Sequence, residues 1–141
     1  MNYILDTCVI SELIKPEPQP SVCTWIENQD NNAMFLSVIT LGEIQKGVSR
    51  LDDGAKKTQL QSWLDKDLAL RFENRILDIN EPMMKLWGNI LAMSEKTGHK
   101  LPVIDTMIAS TAIFHHMAVV TRNIKDMAMD GLTVINPWEP C

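Results

Sequence analysis

The sequence predicts an α/β fold, a sandwich of helices around a mainly parallel sheet. Short apolar runs alternate with stretches of helical periodicity along the chain, and acidic residues recur where the two meet. No repeat, linker or low-complexity tract breaks the alternation, so the 141 residues read as one domain, 1–141.

Tyr3, Ile4 and Leu5 form a first short strand ending at Asp6. Val9, Ile10, Leu13 and Ile14 then fall on one face of a short helix, with Asp6 or Thr7 as its N-cap and Pro16, Pro18 and Pro20 as its stop. Taken alone, Asp6 reads more readily as a helix cap than as a ligand. Pro20 and Ser21 open a second helix carrying Val22, Trp25 and Ile26, closed by the polar run 28–32. Met34 to Leu36 form the next strand, and Ser37 or Thr40 begins a helix with Leu41, Ile44 and Val48 inward. Glu43 lies about one turn in. There Thr40 and Glu43 also fit a capping box, in which the glutamate reaches back to a backbone N–H.

Asp52, Asp53 and Gly54 mark a turn, followed by a long amphipathic helix patterned by Leu60, Trp63, Leu64, Leu68 and Phe72. Lys56, Lys57, Lys66, Arg71 and Arg75 read most simply as its solvated face, or else as an RNA-facing rim. Ile76, Leu77 and Ile79 give a third strand, and Glu81 and Pro82 start a helix that Gly98 ends. After Pro102 the apolar residues Ile108, Ala109, Ala112 and Ile113 recur at helical spacing, which puts Asp105 in a first turn where the helix dipole favours negative charge. Met117 to Val120 read as a buried strand, Thr121 to Asp126 as its exit, and Leu132 to Ile135 as a last strand before Asn136, Pro137 and Trp138. The paired His115 and His116 suit a helix end better than a metal.

Hydrophobic residues make up 45% of the chain and charged residues 22%, ordinary proportions for a globular protein. No apolar run approaches the roughly 18 residues of a membrane span, and the N-terminus has no signal-peptide pattern, so a cytoplasmic location and no membrane contact are expected. Cys8, Cys23 and Cys141 form neither a disulfide set nor a CxxC pair and read as reduced thiols, which argues against structural zinc. The formal net charge of −5 argues against an unaided grip on nucleic acid, without excluding nuclease chemistry built on an acidic cluster.

Each acid has an innocent explanation, but Asp6, Glu43, Asp105 and Asp126 all fall where the chain leaves or approaches the expected carboxyl edge of one sheet, the edge at which such folds place their sites. Four carboxylates brought together repel one another unless a cation neutralises them. Oxygen ligands alone suit magnesium, or manganese in its place, and such an ion activates water against a phosphodiester. No nucleotide-binding, serine-hydrolase or zinc-protease motif competes for the chain.

The segments ILDTCVISELIKP, FLSVITLGEIQKGV, RILDIN, WGNI, LPVIDTMIASTAIFHHMAVVTRNIKDM and INPW, in this order and spacing, resemble the PIN-domain family, specifically VapC/FitB-like toxins of prokaryotic type II toxin–antitoxin modules. The resemblance implies a three-layer α/β/α sandwich and a magnesium-dependent endoribonuclease. Its acidic residues would be Asp6, Glu43 and Asp105, with the fourth at Asn123 or Asp126; Asp126 is preferred because Asn123 carries no charge. It further implies support from Thr7, Thr121 and Asn123, a homodimer, a cognate antitoxin partner, and promoter DNA reached through that antitoxin. Arg122 and Lys125 would contact RNA phosphate or an antitoxin carboxylate. The competing readings are an antitoxin-binding, transcription-regulating module without turnover, and a metal-dependent phosphoesterase or DNA nuclease.

Overall fold

The computed structural model describes residues 1–139; Cys141 lies outside them. Five strands, β1 (Tyr3–Leu5), β2 (Met34–Ser37), β3 (Ile76–Leu77), β4 (Ala118–Val120) and β5 (Val134–Ile135), form one sheet in the order β3-β2-β1-β4-β5. Every pairing is parallel, with Tyr3 opposite Met34 on one side and Ala118 on the other. The chain builds outward from β1 to β3 in one direction, then returns to β1 and builds outward through β4 and β5 in the other. The seam between β1 and β4 is therefore the topological switch point, where open parallel sheets present a crevice beyond their carboxyl ends.

Alternation along the strands sorts the core into two layers. Leu5 and Val120 face one cluster, built with Val9 and Ile10 of α1 (Thr7–Leu13), Val22 and Ile26 of α2 (Pro20–Glu27), and Ile44 and Val48 of α3 (Val38–Ser49). The same cluster takes Leu64, Leu68 and Phe72 from a continuous helical stretch, α4 (Ala55–Ser62), a π-helical turn (Trp63–Leu68) and α5 (Ala69–Arg71). Ile4 and Val119 face the other cluster, which takes Ile108, Ala109 and Ala112 from α7 (Val103–Phe114) and Met127 from α8 (Ile124–Met127); α6 (Glu81–Lys96) packs on α7. This is the expected three-layer sandwich.

Local chemistry sets the helix ends. Ser37 Oγ accepts the Ile39 N–H at 3.0 Å to start α3, and Asn80 Oδ1 accepts the Met83 N–H at 3.0 Å to start α6. Gly98, at φ 75°, ends α6 in the left-handed conformation that lacks a Cβ penalty. Arg75 departs from the solvated face expected of it: its guanidinium donates to the Met34 carbonyl at 2.6 Å and to those of Asn31 and Arg71, and lies 5.2 Å from the Phe72 ring centre. It ties the end of the α4–α5 stretch to the entry of β2. Ile79 lies beyond β3.

The two-layer core makes a direct contrast. Leu36, 0% exposed on β2, is expected to cost about 2–5 kcal/mol when changed to Ala. Leu70, 73% exposed, is expected to cost at most about 0.5 kcal/mol. Urea midpoints at unchanged m-value measure both.

Candidate active site

Asp6 is the first residue beyond β1, and its backbone N–H donates to the Val120 carbonyl at 2.9 Å, carrying the β1–β4 pairing one step further. Its carboxylate is 2% exposed. Oδ1 accepts the Thr7 N–H at 2.8 Å, while Oδ2 accepts the Thr121 hydroxyl at 2.7 Å and the Cys8 thiol at 3.5 Å. Three donors compensate a carboxylate almost wholly withdrawn from water. Asp6 therefore both caps α1 and joins the two strand exits. Burial, and then the Asp6 charge, push the Cys8 thiol up to about 11, so it stays protonated and serves as a donor.

Glu43 does not form the capping box. With α3 starting at Val38 and capped by Ser37, Thr40 sits inside the helix and is fully buried. Glu43 Oε1 instead accepts the Thr7 hydroxyl at 2.5 Å, and Thr7 Oγ1 lies 3.2 Å from Thr40 Oγ1. Thr7 thus steadies Asp6 through its backbone and Glu43 through its side chain.

Asp105 occupies the first turn of α7. Burial pushes its carboxyl up to about 6, reinforced by the charges of Asp6, Asp126 and Glu43 in that order. The structure therefore brings all four acids into one electrostatic neighbourhood. Asp126 reaches it from the single-turn helix α8, where the sequence suggested an irregular strand exit; its N–H donates to the Asn123 carbonyl at 3.2 Å. Asn123 is exposed, and its backbone N–H donates to Thr121 Oγ1 at 2.9 Å. One of the charges acting on Asp105 is that of Asp126. Arg122 and Lys125 are exposed beside it, Arg122 with its guanidinium 5.5 Å from the Trp138 ring centre.

Sequence reasoning passed over Cys8 and Thr40, whose only signals were their spacing, two residues after Asp6 and three before Glu43. The histidine pair precedes β4 and so lies at the opposite edge of the sheet. His115 is held below its ordinary range by burial and by His116.

Among the described residues, no three His, Cys, Asp or Glu side chains are drawn together tightly enough to hold a metal ion by themselves. The four acids converge as a field of negative charge with only oxygen donors. Carboxylate donors are the kind a hard divalent cation such as magnesium takes, and differ from the Cys and His sets of a closed tetrahedral site.

A family model described as the PIN domain matches residues 3–128. The chain belongs to the PIN-domain family. PIN domains are nucleases acting on phosphodiester bonds, so it is an enzyme of that class. It is 34% identical over 137 residues to VapC ribonuclease Y4jK of Sinorhizobium fredii, covering 97% of this chain and 98% of the relative. Among solved structures, FitAcB from Neisseria gonorrhoeae superposes with a TM-score of 0.92 at 33% identity, covering 98% of this chain and 99% of that one. VapBC2 from Rickettsia felis, bound to a DNA fragment from its promoter, superposes at 0.79 with 31% identity, covering 96% and 98%.

The raised Asp105 carboxyl fixes the sign of a pH effect in this PIN domain. Its folded value, about 6, lies above the ordinary 3.8, so the stability it lends in the neutral form is lost as pH rises through 6. After discounting for its partial exposure, about 1 kcal/mol is at stake. Asp105→Asn is expected to raise the Tm of the metal-free protein by about 2–4 °C at pH 8. The gain shrinks as pH falls below 6, and differential scanning calorimetry across that range reads it.

Proposed function

We propose that this PIN domain is a magnesium-dependent endoribonuclease, the toxin of a type II toxin–antitoxin module. The observation that carries the reading is the placement of Asp6 beyond β1, Glu43 on α3, Asp105 in the first turn of α7 and Asp126 on α8 around the β1–β4 switch point, where burial and then the neighbouring acids raise the Asp105 carboxyl. The similarity to a relative named a ribonuclease supports RNA as the substrate, and the solved FitAcB and VapBC2 structures support an antitoxin partner through which promoter DNA is reached. A homodimer in the cytoplasm completes the proposal.

Asp6, Glu43, Asp105 and Asp126 would hold magnesium, with manganese able to substitute. When bound it supplies a polarised water and neutralises charge on the phosphate. The protein's own part is orientation. Thr7 N–H, the Thr121 hydroxyl and the Cys8 thiol keep Asp6 from turning, and the Thr7 hydroxyl does the same for Glu43. Asn123 closes the loop through its backbone bond to Thr121, so that Asp126 and Lys125 follow a fixed path past the seam. Arg122 and Lys125 lie where a phosphate strand approaching the acids meets positive charge.

Purified protein is expected to cleave structured RNA with magnesium or manganese and to stop in EDTA. Asp105→Asn, which keeps size and removes charge, is expected to lower the rate at least about 100-fold. A panel with DNA and small phosphoesters separates the nuclease classes. Unchanged cleavage by the Asn variant, in material free of contaminating nuclease, would remove these acids from the chemistry. Operator binding with no cleavage of any substrate would leave the regulatory module.

A further inference from the structure

One of the two cations beside the acidic seam, Arg122, is built into the structure on one side. Arg122 follows Thr121, whose hydroxyl holds Asp6 and whose N–H donates to the Ile135 carbonyl at 2.9 Å, so its backbone is fixed by both the site and β5. Its exposed side chain turns to the C-terminal turn and lies over Trp138, 5.5 Å from the ring centre. Among the described residues it is in no ion pair. A guanidinium laid on an aromatic face keeps its N–H edge open while losing much of its rotational freedom, which is the form that grips a phosphate in two-pronged fashion.

Trp138 is in turn anchored. Its N–H donates to Asn136 Oδ1 at 2.9 Å, and its carbonyl accepts the Ser21 hydroxyl at 3.4 Å at the start of α2. The indole packs on the core layer that holds α1 and α2. Glu12, with a side chain only 7% exposed on α1, holds the start of the same α2 whose Ser21 binds Trp138. One Glu12 oxygen accepts Lys15 Nζ at 3.0 Å and the other the Gln19 N–H at 3.1 Å. Those two bonds hold the carboxyl below its usual range, and the Trp138 side chain adds to the effect. A buried carboxylate, the α1–α2 junction and the C-terminal turn thus form one support beneath a single surface arginine. The catalytic acids use none of it.

We propose that Trp138 and Glu12 are positioning residues that hold Arg122 as the phosphate-binding cation beside the acidic seam, so that the C-terminal turn takes part in gripping the RNA strand. This rests on the ribonuclease reading for its substrate. An acidic protein with a net charge of −5 gains its hold on a polyanion from a cation fixed in place, not from overall charge.

The test measures binding and turnover separately: anisotropy of a labelled single-stranded RNA oligomer in EDTA over a salt series, and steady-state cleavage with magnesium. Arg122→Ala and Trp138→Leu are each expected to raise the oligomer Kd and the cleavage KM about 5–10-fold with kcat within about twofold. Arg122→Ala also lowers the salt slope by about one ion. Trp138→Phe, which restores an aromatic face, is expected to return Kd to within about twofold of the unmodified protein. The Arg122→Ala, Trp138→Leu double variant is expected to bind no worse than Arg122→Ala alone. Glu12→Gln is expected to weaken binding in the same direction, less steeply, and not at all when Arg122 is already Ala.

Wild-type Kd, KM and salt slope in Arg122→Ala would overturn the inference, and so would effects of Arg122 and Trp138 that multiply in the double variant. If Trp138→Leu does not fold, as far-UV circular dichroism shows, Arg122→Ala with and without Glu12→Gln decides the same question. Cleavage indifferent to these residues overturns this inference and leaves the nuclease standing. Binding that depends on them without any cleavage does the reverse, and neither binding nor cleavage overturns both.

Discussion

The constraint on which the site depends is the burial of Asp6 at the seam of β1 and β4. A carboxylate with 2% exposure survives only if donors are delivered to it, and they come from two directions in the chain: Thr7 and Cys8 just after β1, and Thr121 just after β4, some 115 positions away. The Thr121 bond therefore does more than satisfy an acid. It fixes how far β4 runs before the chain turns towards Asp126, and the parallel register of Val120 on Leu5 is the arrangement in which that bond is short. Strand pairing, core alternation and acid placement become one geometric problem with one solution.

The electrostatics of this arrangement work against the fold. Asp105 is pushed up to about 6 because it is partly withdrawn from water and shares its surroundings with three other acids. A protein selected for stability alone would replace it with a neutral residue, and the α7 dipole offsets only part of the repulsion. Stored repulsion of this kind is what gives a divalent cation a reason to bind. The second support, from Thr7 to Glu43, matters for the same reason: a hydroxyl whose backbone already serves Asp6 holds the Glu43 carboxylate at 2.5 Å and opposes its turning away from its neighbours.

Much of this was legible in the sequence. The strands β1, β2 and β4 are short apolar runs bounded by turn chemistry, and Asp6, Asp105 and Asp126 stand at their exits or at a helix start, so the parallel sheet and its acidic edge follow from pattern alone. The motifs around Asp6, Glu43 and Asp105 also carry the family resemblance. Other features were hidden because they depend on partners distant in sequence. Glu43 looks like the end of a capping box until α3 is seen to be capped by Ser37, three residues before Thr40; both hydroxyls are good caps, and only packing of α3 against α1 chooses between them. Arg75 looks like surface until Met34 and Asn31 are placed beside it. The strand order that puts the switch point between β1 and β4 has no local signal at all.

The remaining question is how a chain with more acids than bases engages an acidic polymer. Uniform positive charge would solve the encounter but would also screen the acids that must concentrate a cation, so the two requirements are met in different places. Negative charge is gathered at the seam, where burial strengthens it. Positive charge stands one residue away, on the exposed Arg122, and is made effective by rigidity: an arginine laid on Trp138 meets a phosphate without first giving up its freedom. Asp6 and Arg122 then flank the same residue, Thr121, in opposite roles.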